Sequence, residues 1–330
     1  MLKAAHRRPV LAFGVILLGL VGGCAGEDLS RANFERTTVS AEPGSGQGDV
    51  PTGPISDPAV GVSTLRTVDP CALLGSGVVD QLGTAADFYE SDWGACRVEV
   101  QDAGGKTISV SLDLGESLVL ASRASGSIEG LPLVESKLDD TTCIVTAVTS
   151  RDPDLGVSAQ VGYEGGNACD AGYGTLQRVV QALRAGPPQY QQEPGSLVEV
   201  DACTSVDEAV LSDVLNGTVR RTPMGLHECR LADGGQSAVM VRFREGYLPD
   251  TDDEGVAPVD LGGTQAVQRQ STIDLAECDV SWLHRPGAEE GMGELAAVTY
   301  SDYSDGMTKD DACARAVEVA KTVIPKLPRA

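Results

Sequence analysis

From Cys96 onward, short stretches alternate apolar and polar residues at a period of two: CRVEV, TISVSLDL, GVSAQVGYE and, further on, SAVMVRFRE. That alternation predicts half-buried strands, and the Gly-rich pieces DAGG and ADGG read as the turns between them. Two later stretches switch to the helical period. Leu176, Val179, Val180 and Leu183 share one face, as do Val317, Ala320 and Ile324. Ahead of the first strands, Asp69 can cap and Pro70 suits the first turn of a helix. Its stripe is Leu73, Leu74, Val78 and Leu82, weakened by Gly75 and Gly77. Ser205, with Glu208 three residues later, offers a capping box to a helix carrying Val210, Leu211 and Val214. Clustered strands flanked by helices predict an α+β fold with an antiparallel sheet covered on one face.

The pattern occurs twice. Eight cysteines fall as Cys71, Cys96, Cys143, Cys169 and then Cys203, Cys229, Cys278, Cys313, at intervals of 25, 47 and 26 against 26, 49 and 35. Their flanks repeat as well: VDPCALL answers VDACTSV, GACRVEV answers HECRLAD, and TTCIVTAVT answers AECDVSWLH. The sequence therefore predicts two tandem repeats, over 67–189 and 197–330, joined by a Pro- and Gln-rich linker at 190–196. Each has the size of an ordinary domain. With few apolar residues in the linker, each unit is expected to fold alone, and the cleft between them is a natural place for a ligand.

The N-terminus bears on the compartment. Lys3, Arg7 and Arg8 precede an apolar run from Val10 to Val21, and small residues lead into Cys24. This is the anatomy of a secretory signal over 1–23, and VGGC fits a lipobox. Cys24 is also the odd ninth cysteine. Diacylglyceryl modification there would attach the chain to the cell membrane without spanning it. Residues 24–66 read as a lipidated, disordered tether, whose forty or so residues would span roughly 35 Å. Removing 1–23 takes three positive charges, so a net charge of −23 becomes −26. Such acidity argues against nucleic acid as a partner. An exported chain with an even set of regularly spaced cysteines reads as a disulfide framework. Three connectivities are open in each unit. The expected one is Cys71–Cys96, Cys143–Cys169, Cys203–Cys229 and Cys278–Cys313, each tying a helix start to a strand. Zinc would call for close pairs such as Cys-x-x-Cys, and the sequence has none.

Motifs for catalysis are missing: there is no Gly-x-Ser-x-Gly elbow, His-Glu-x-x-His, phosphate loop or dinucleotide fingerprint. His227 and His284 lie near cysteine segments, but not at matching places in the two units. Asp250, Asp252, Glu254 and Gly255 imitate the start of a calcium loop, yet Pro258 and Leu261 stand where later ligands belong. A solvated acidic loop fits them better. Asn216 begins a glycosylation sequon, which carries little meaning beside a bacterial-type lipobox, and Trp93 and Trp282 read as core residues.

The lipobox, spacer, DPCALL, CRVEV and closing CARAVEVAKTVIPKLP resemble the actinobacterial lipoproteins of domain of unknown function 3558. Both units resemble that domain. The second departs in having VDAC for DPC, and the first lacks the closing LP. The resemblance implies a secreted, disulfide-bonded α+β domain akin to the PsbP-like sandwich, and no known reaction. A weaker similarity runs to the extracellular sensor domains of mycobacterial Ser/Thr kinases. The expectation is a lipid-anchored module on the outer face of the membrane, non-enzymatic and without cofactor or metal, presenting two related domains to an envelope protein or small ligand. A structural or secretion-accessory role is the main alternative, and a cell-wall or lipid hydrolase a further one.

Overall fold

The computed structural model describes residues 48–215 and 217–330. Cys24, the signal segment, the tether as far as residue 47 and Asn216 lie outside the described residues. Among the described residues, no helix is long and apolar enough to cross a membrane.

The first repeat carries strands β1 (Thr84–Asp92), β2 (Ala95–Gln101), β3 (Thr107–Glu116), β4 (Gly126–Ile128), β5 (Leu131–Lys137), β6 (Thr142–Arg151) and β7 (Asp154–Tyr163). The second carries β8 (Arg220–Pro223), β9 (Glu228–Ala232), β10 (Ser237–Tyr247), β11 (Val256–Asp260), β12 (Gln265–Gln270), β13 (Ala276–Pro286) and β14 (Met292–Asp302). Each set forms one seven-stranded antiparallel sheet, ordered β1-β2-β3-β7-β6-β5-β4 and β8-β9-β10-β14-β13-β12-β11. The orders are the same strand for strand. A three-stranded meander and a four-stranded meander join at the centre, where the last strand pairs with the third.

Alternation decides which side chains face inward. In β2, Cys96, Val98 and Val100 are buried while Arg97 and Glu99 are exposed, and β10 buries Val239, Val241 and Phe243 in the same way. The DAGG turn works because Asp102 Oδ1 accepts the amides of Gly104 and Lys106 while Gly105 takes φ +78°.

The long helix of the first copy, Ala168–Ala185, starts where Asn167 accepts the amides of Cys169 and Asp170. It buries Leu176, Val179, Val180 and Leu183 against the sheet. Its counterpart, Lys309–Val323, begins with a Thr308–Asp311 capping box. The face expected from Val317, Ala320 and Ile324 is rotated. The buried set is Ala312, Cys313, Ala316, Val319, Ala320 and Val323, because the Cys313 bridge turns that side of the helix to the sheet.

The leading helices are shorter than their stripes suggested. Pro70–Leu73 makes one turn, capped by Asp69, and widens over Leu74–Val78 until Gly77 at φ +97° ends it. In the second copy Ser205 does not cap. Asp201 caps a single 3-10 turn, Ala202–Thr204, and Ser205 Oγ donates to the Ala202 carbonyl. The α-helix starts only at Glu208, whose carboxylate takes Arg221. The Cys203–Cys229 bridge holds the short turn against β9 and separates it from the helix. Part of the segment expected as spacer is also folded. Asp57 caps Pro58–Val60, Val62–Leu65 is helical, and Val60 and Leu65 are fully buried.

Four disulfides are present: Cys71–Cys96, Cys143–Cys169, Cys203–Cys229 and Cys278–Cys313. Their Cα–Cα separations of 4.9–5.2 Å need no backbone distortion. Every bridge stays inside its own copy.

Candidate functional site at the polar face of the second sheet

Each copy has its own hydrophobic core, and each core holds one residue from the other copy. Trp93 lies three residues before Cys96, and Leu226 three before Cys229, at equivalent hairpins. Trp93 packs in the second core and Leu226 in the first. Leu226 enters between two glycines. A Cβ on Gly115 would lie 2.7 Å from its Cγ, and one on Gly94 would lie 2.8 Å from its Cδ1. The buried Arg66 donates from Nε to the Leu226 carbonyl at 2.9 Å and pairs with Asp201 at 3.4 Å. Residues of the expected linker take part. Tyr190 hydroxyl accepts the Gly94 amide at 2.9 Å and donates to the Glu90 carboxylate. The copies are thus held by these hairpins rather than by apolar residues of the linker.

Carboxylates gather around this junction. Burial raises Glu90 to about 7, with partial relief from the Tyr190 hydroxyl. Burial raises Asp113 to about 6, helped by the charges of Glu116 and Asp92. Asp92, Glu228 and Glu245 are raised by burial too. The His227 ring meets Trp93 at a centroid distance of 5.0 Å, tilted by 53°, and neither of its nitrogens bonds to a described residue. Burial, then the Arg66 charge, lowers it to about 3, so it is neutral. Asp92, Asp113, His227 and Glu228 line a hollow of about 480 Å³ between the copies.

A larger cavity, about 600 Å³, lies on the solvent face of the second sheet. Its floor is small: Ala238, Ala297, Ser281 and Ser301. One row crosses five strands there, since Arg230 faces Met240, Met240 faces Thr299, Thr299 faces Asp279 and Asp279 faces Arg269. Asp279 accepts hydrogen bonds from Ser281 and Thr299. Arg242 is neutralised by Glu228 at 3.3 Å and Asp92 at 3.9 Å, and Arg244 donates to the Glu245 and Tyr247 carbonyls. The guanidinium groups of Arg230 and Arg269 form no ion pair or hydrogen bond with any described residue. Ser91 and Asp92 of the first copy complete the wall. Tyr247 and Tyr303, 51% and 66% exposed, stand at the rim.

The first copy is an internal comparison. Its equivalent row reads Arg97, Ser111, Gln160, Ile144, Ser136 in the same register. Only the arginine at one end persists.

The residues singled out from sequence go elsewhere. Trp282 is a core residue. His284 Nε2 bonds the Gly195 carbonyl at 2.9 Å, and His227 is buried at the junction. Asp250 Oδ1 accepts the Asp252 amide at 2.9 Å in an exposed turn. Among the described residues, the one cluster with metal-ligand spacing is Glu135, Cys143 and Cys169, whose sulfurs are joined in a disulfide. The cavity's arginines had a signal: in AVMVRFRE the alternation puts Met240, Arg242 and Arg244 on one face. What joins Arg269 to them is sheet order, which spacing along the chain does not carry.

Comparisons with protein-family models, curated proteins and solved structures gave no match.

Proposed function

We propose that this chain is a lipid-anchored, extracytoplasmic binding protein of the envelope, without catalytic activity. In this reading it is related to the domain of unknown function 3558 lipoproteins and their PsbP-like fold. The lipobox at Cys24 and the four bridges support the compartment, since disulfides persist in oxidising surroundings. The observation that carries the binding reading is the 600 Å³ cavity with two unpaired arginines, walled by both copies. That volume lies within the range of small-molecule pockets. The duplication supplies a wall rather than a second equal site. A binding role is also in keeping with His227, whose imidazole bonds to no hydroxyl or thiol among the described residues.

Two readouts test the proposal. Cells fed an alkyne-bearing palmitate should label the wild type and not Cys24→Ala. The oxidised chain should bind isolated envelopes saturably, and Ala297→Phe, which fills the cavity floor, should weaken that binding at least tenfold at an unchanged melting temperature. Ser158→Phe, the equivalent place in the first sheet, should leave it intact. Unsaturable association, or equal binding by Ala297→Phe, contradicts the reading.

A further inference from the structure

We propose that the cavity on the second sheet takes an acidic saccharide, a polyhydroxylated ligand bearing a carboxylate or phosphate. The inference rests on the binding reading above and adds the chemical class of the ligand. Three features of the site converge on it.

The first is charge. In a chain of net charge −23, an anion is repelled from most of the surface. Yet Arg230 and Arg269 stand unpaired at the two ends of one row. Four strand spacings of about 4.8 Å separate their backbones by about 19 Å. Guanidinium groups are forks suited to carboxylate and phosphate oxygens, and two flexible arms can reach inward from opposite ends. The equivalent row of the first copy has Ser136 in place of Arg269 and Ile144 in place of Asp279, so the backbone register itself does not require these charges.

The second is the floor between the arginines. Thr299 and Ser281 donate to Asp279 and keep lone pairs that accept, Ser301 offers a hydroxyl that donates and accepts, and Asp279 and Glu277 offer acceptors. A bare inorganic anion would leave these acceptors facing it. A ligand with its own hydroxyl groups donates to them while its acid group takes the arginines. Small side chains at Ala238 and Ala297 leave room for a ring.

The third is the rim. Tyr247 and Tyr303 present aromatic bodies with polar tips at the mouth. Such groups are at home where one side is apolar and the other wet, a match for the C–H face and hydroxyl edge of a sugar.

The test is an amide-resolved NMR titration of the full oxidised chain with glucuronate, glucose 6-phosphate, a trimeric uronide, glucose and inorganic phosphate. Acidic sugars should shift residues of β9, β10, β12, β13 and β14, saturating at concentrations at least tenfold below glucose and below phosphate alone. Arg230→Gln and Arg269→Gln should each reduce the acidic-over-neutral preference at least fivefold, with melting temperature unchanged. Monomer binding points to a free acid sugar, and preference for the trimer to a polymer. Equal saturation by glucose, by phosphate alone, or by both arginine variants overturns the inference, as do shifts confined to other surfaces. If no acidic sugar binds while Ala297→Phe still abolishes envelope association, the ligand class is wrong and the binding reading stands. If Ala297→Phe has no effect either, the binding reading fails with it.

Discussion

Glu90, Asp113 and His227 sit at the junction with ionisation displaced in opposite senses. Glu90 and Asp113 hold protons up to about pH 7 and about pH 6. Unfolded carboxyls release theirs near 4. Between those values the native state binds more protons, so stability rises as pH falls from above 7 toward 5. The imidazole runs the other way. Unfolded histidine protonates near 6.5, folded His227 only at about 3, so stability is lost as pH falls through that window. Below pH 6 two carboxyls outweigh one imidazole, so together they predict stability that still rises as pH falls to about 4.5, with the maximum at about pH 4 to 4.5. Thermal melts from pH 4 to pH 8 should show Glu90→Gln flattening this rise and His227→Leu steepening it below pH 6.5. Variants whose melting temperatures run parallel to wild type across the range would remove these groups from the account. None of this was legible in sequence. Forty-eight acidic residues look alike until a fold buries five of them beside one hairpin pair.

At the scale of elements, strands were the most legible feature, because β2, β3 and β10 alternate buried with more exposed residues and the sequence records that directly, whereas β6, β7 and β14 are buried continuously over part of their length. The helix Ala168–Ala185 was legible for the same reason: Leu176, Val179, Val180 and Leu183 meet the sheet as their spacing requires. Helix starts were less so. The Ser205–Glu208 pair has the chemistry of a capping box, but the bridge at Cys203 takes the preceding turn first, a long-range constraint that local spacing does not contain. The bridges govern such details, and they also stabilise. Chain entropy gives about 3 kcal/mol or slightly more for loops of this length. Replacing Cys143 and Cys169 together with alanine should therefore lower unfolding free energy by about 3 kcal/mol, read from urea midpoints at constant slope. A loss under about 1 kcal/mol would mean that packing of the helix on β6 and β7 suffices without the bridge.

At the scale of the molecule, duplication was legible and its use was not. Cysteine spacing displays two copies plainly. That Trp93 and Leu226 occupy equivalent positions could also be counted from the cysteines, but only the fold shows each entering the other's core. The exchange fixes one copy against the other, and Ser91 and Asp92 of the first close a cavity that belongs mostly to the second. Reciprocal exchange couples the two cores, and hydrogen exchange of single amides tests that coupling across copies. Truncating a buried leucine or tryptophan to alanine typically costs about 2–5 kcal/mol. Leu226→Ala, made in the second copy, should lower the protection of Leu112 and Leu114 in β3 of the first by at least tenfold. Trp93→Ala, made in the first, should do the same to Val241 and Phe243 in β10 of the second. If each substitution loosens only the copy that carries it, the two cores are independent and the exchange does not hold the copies together.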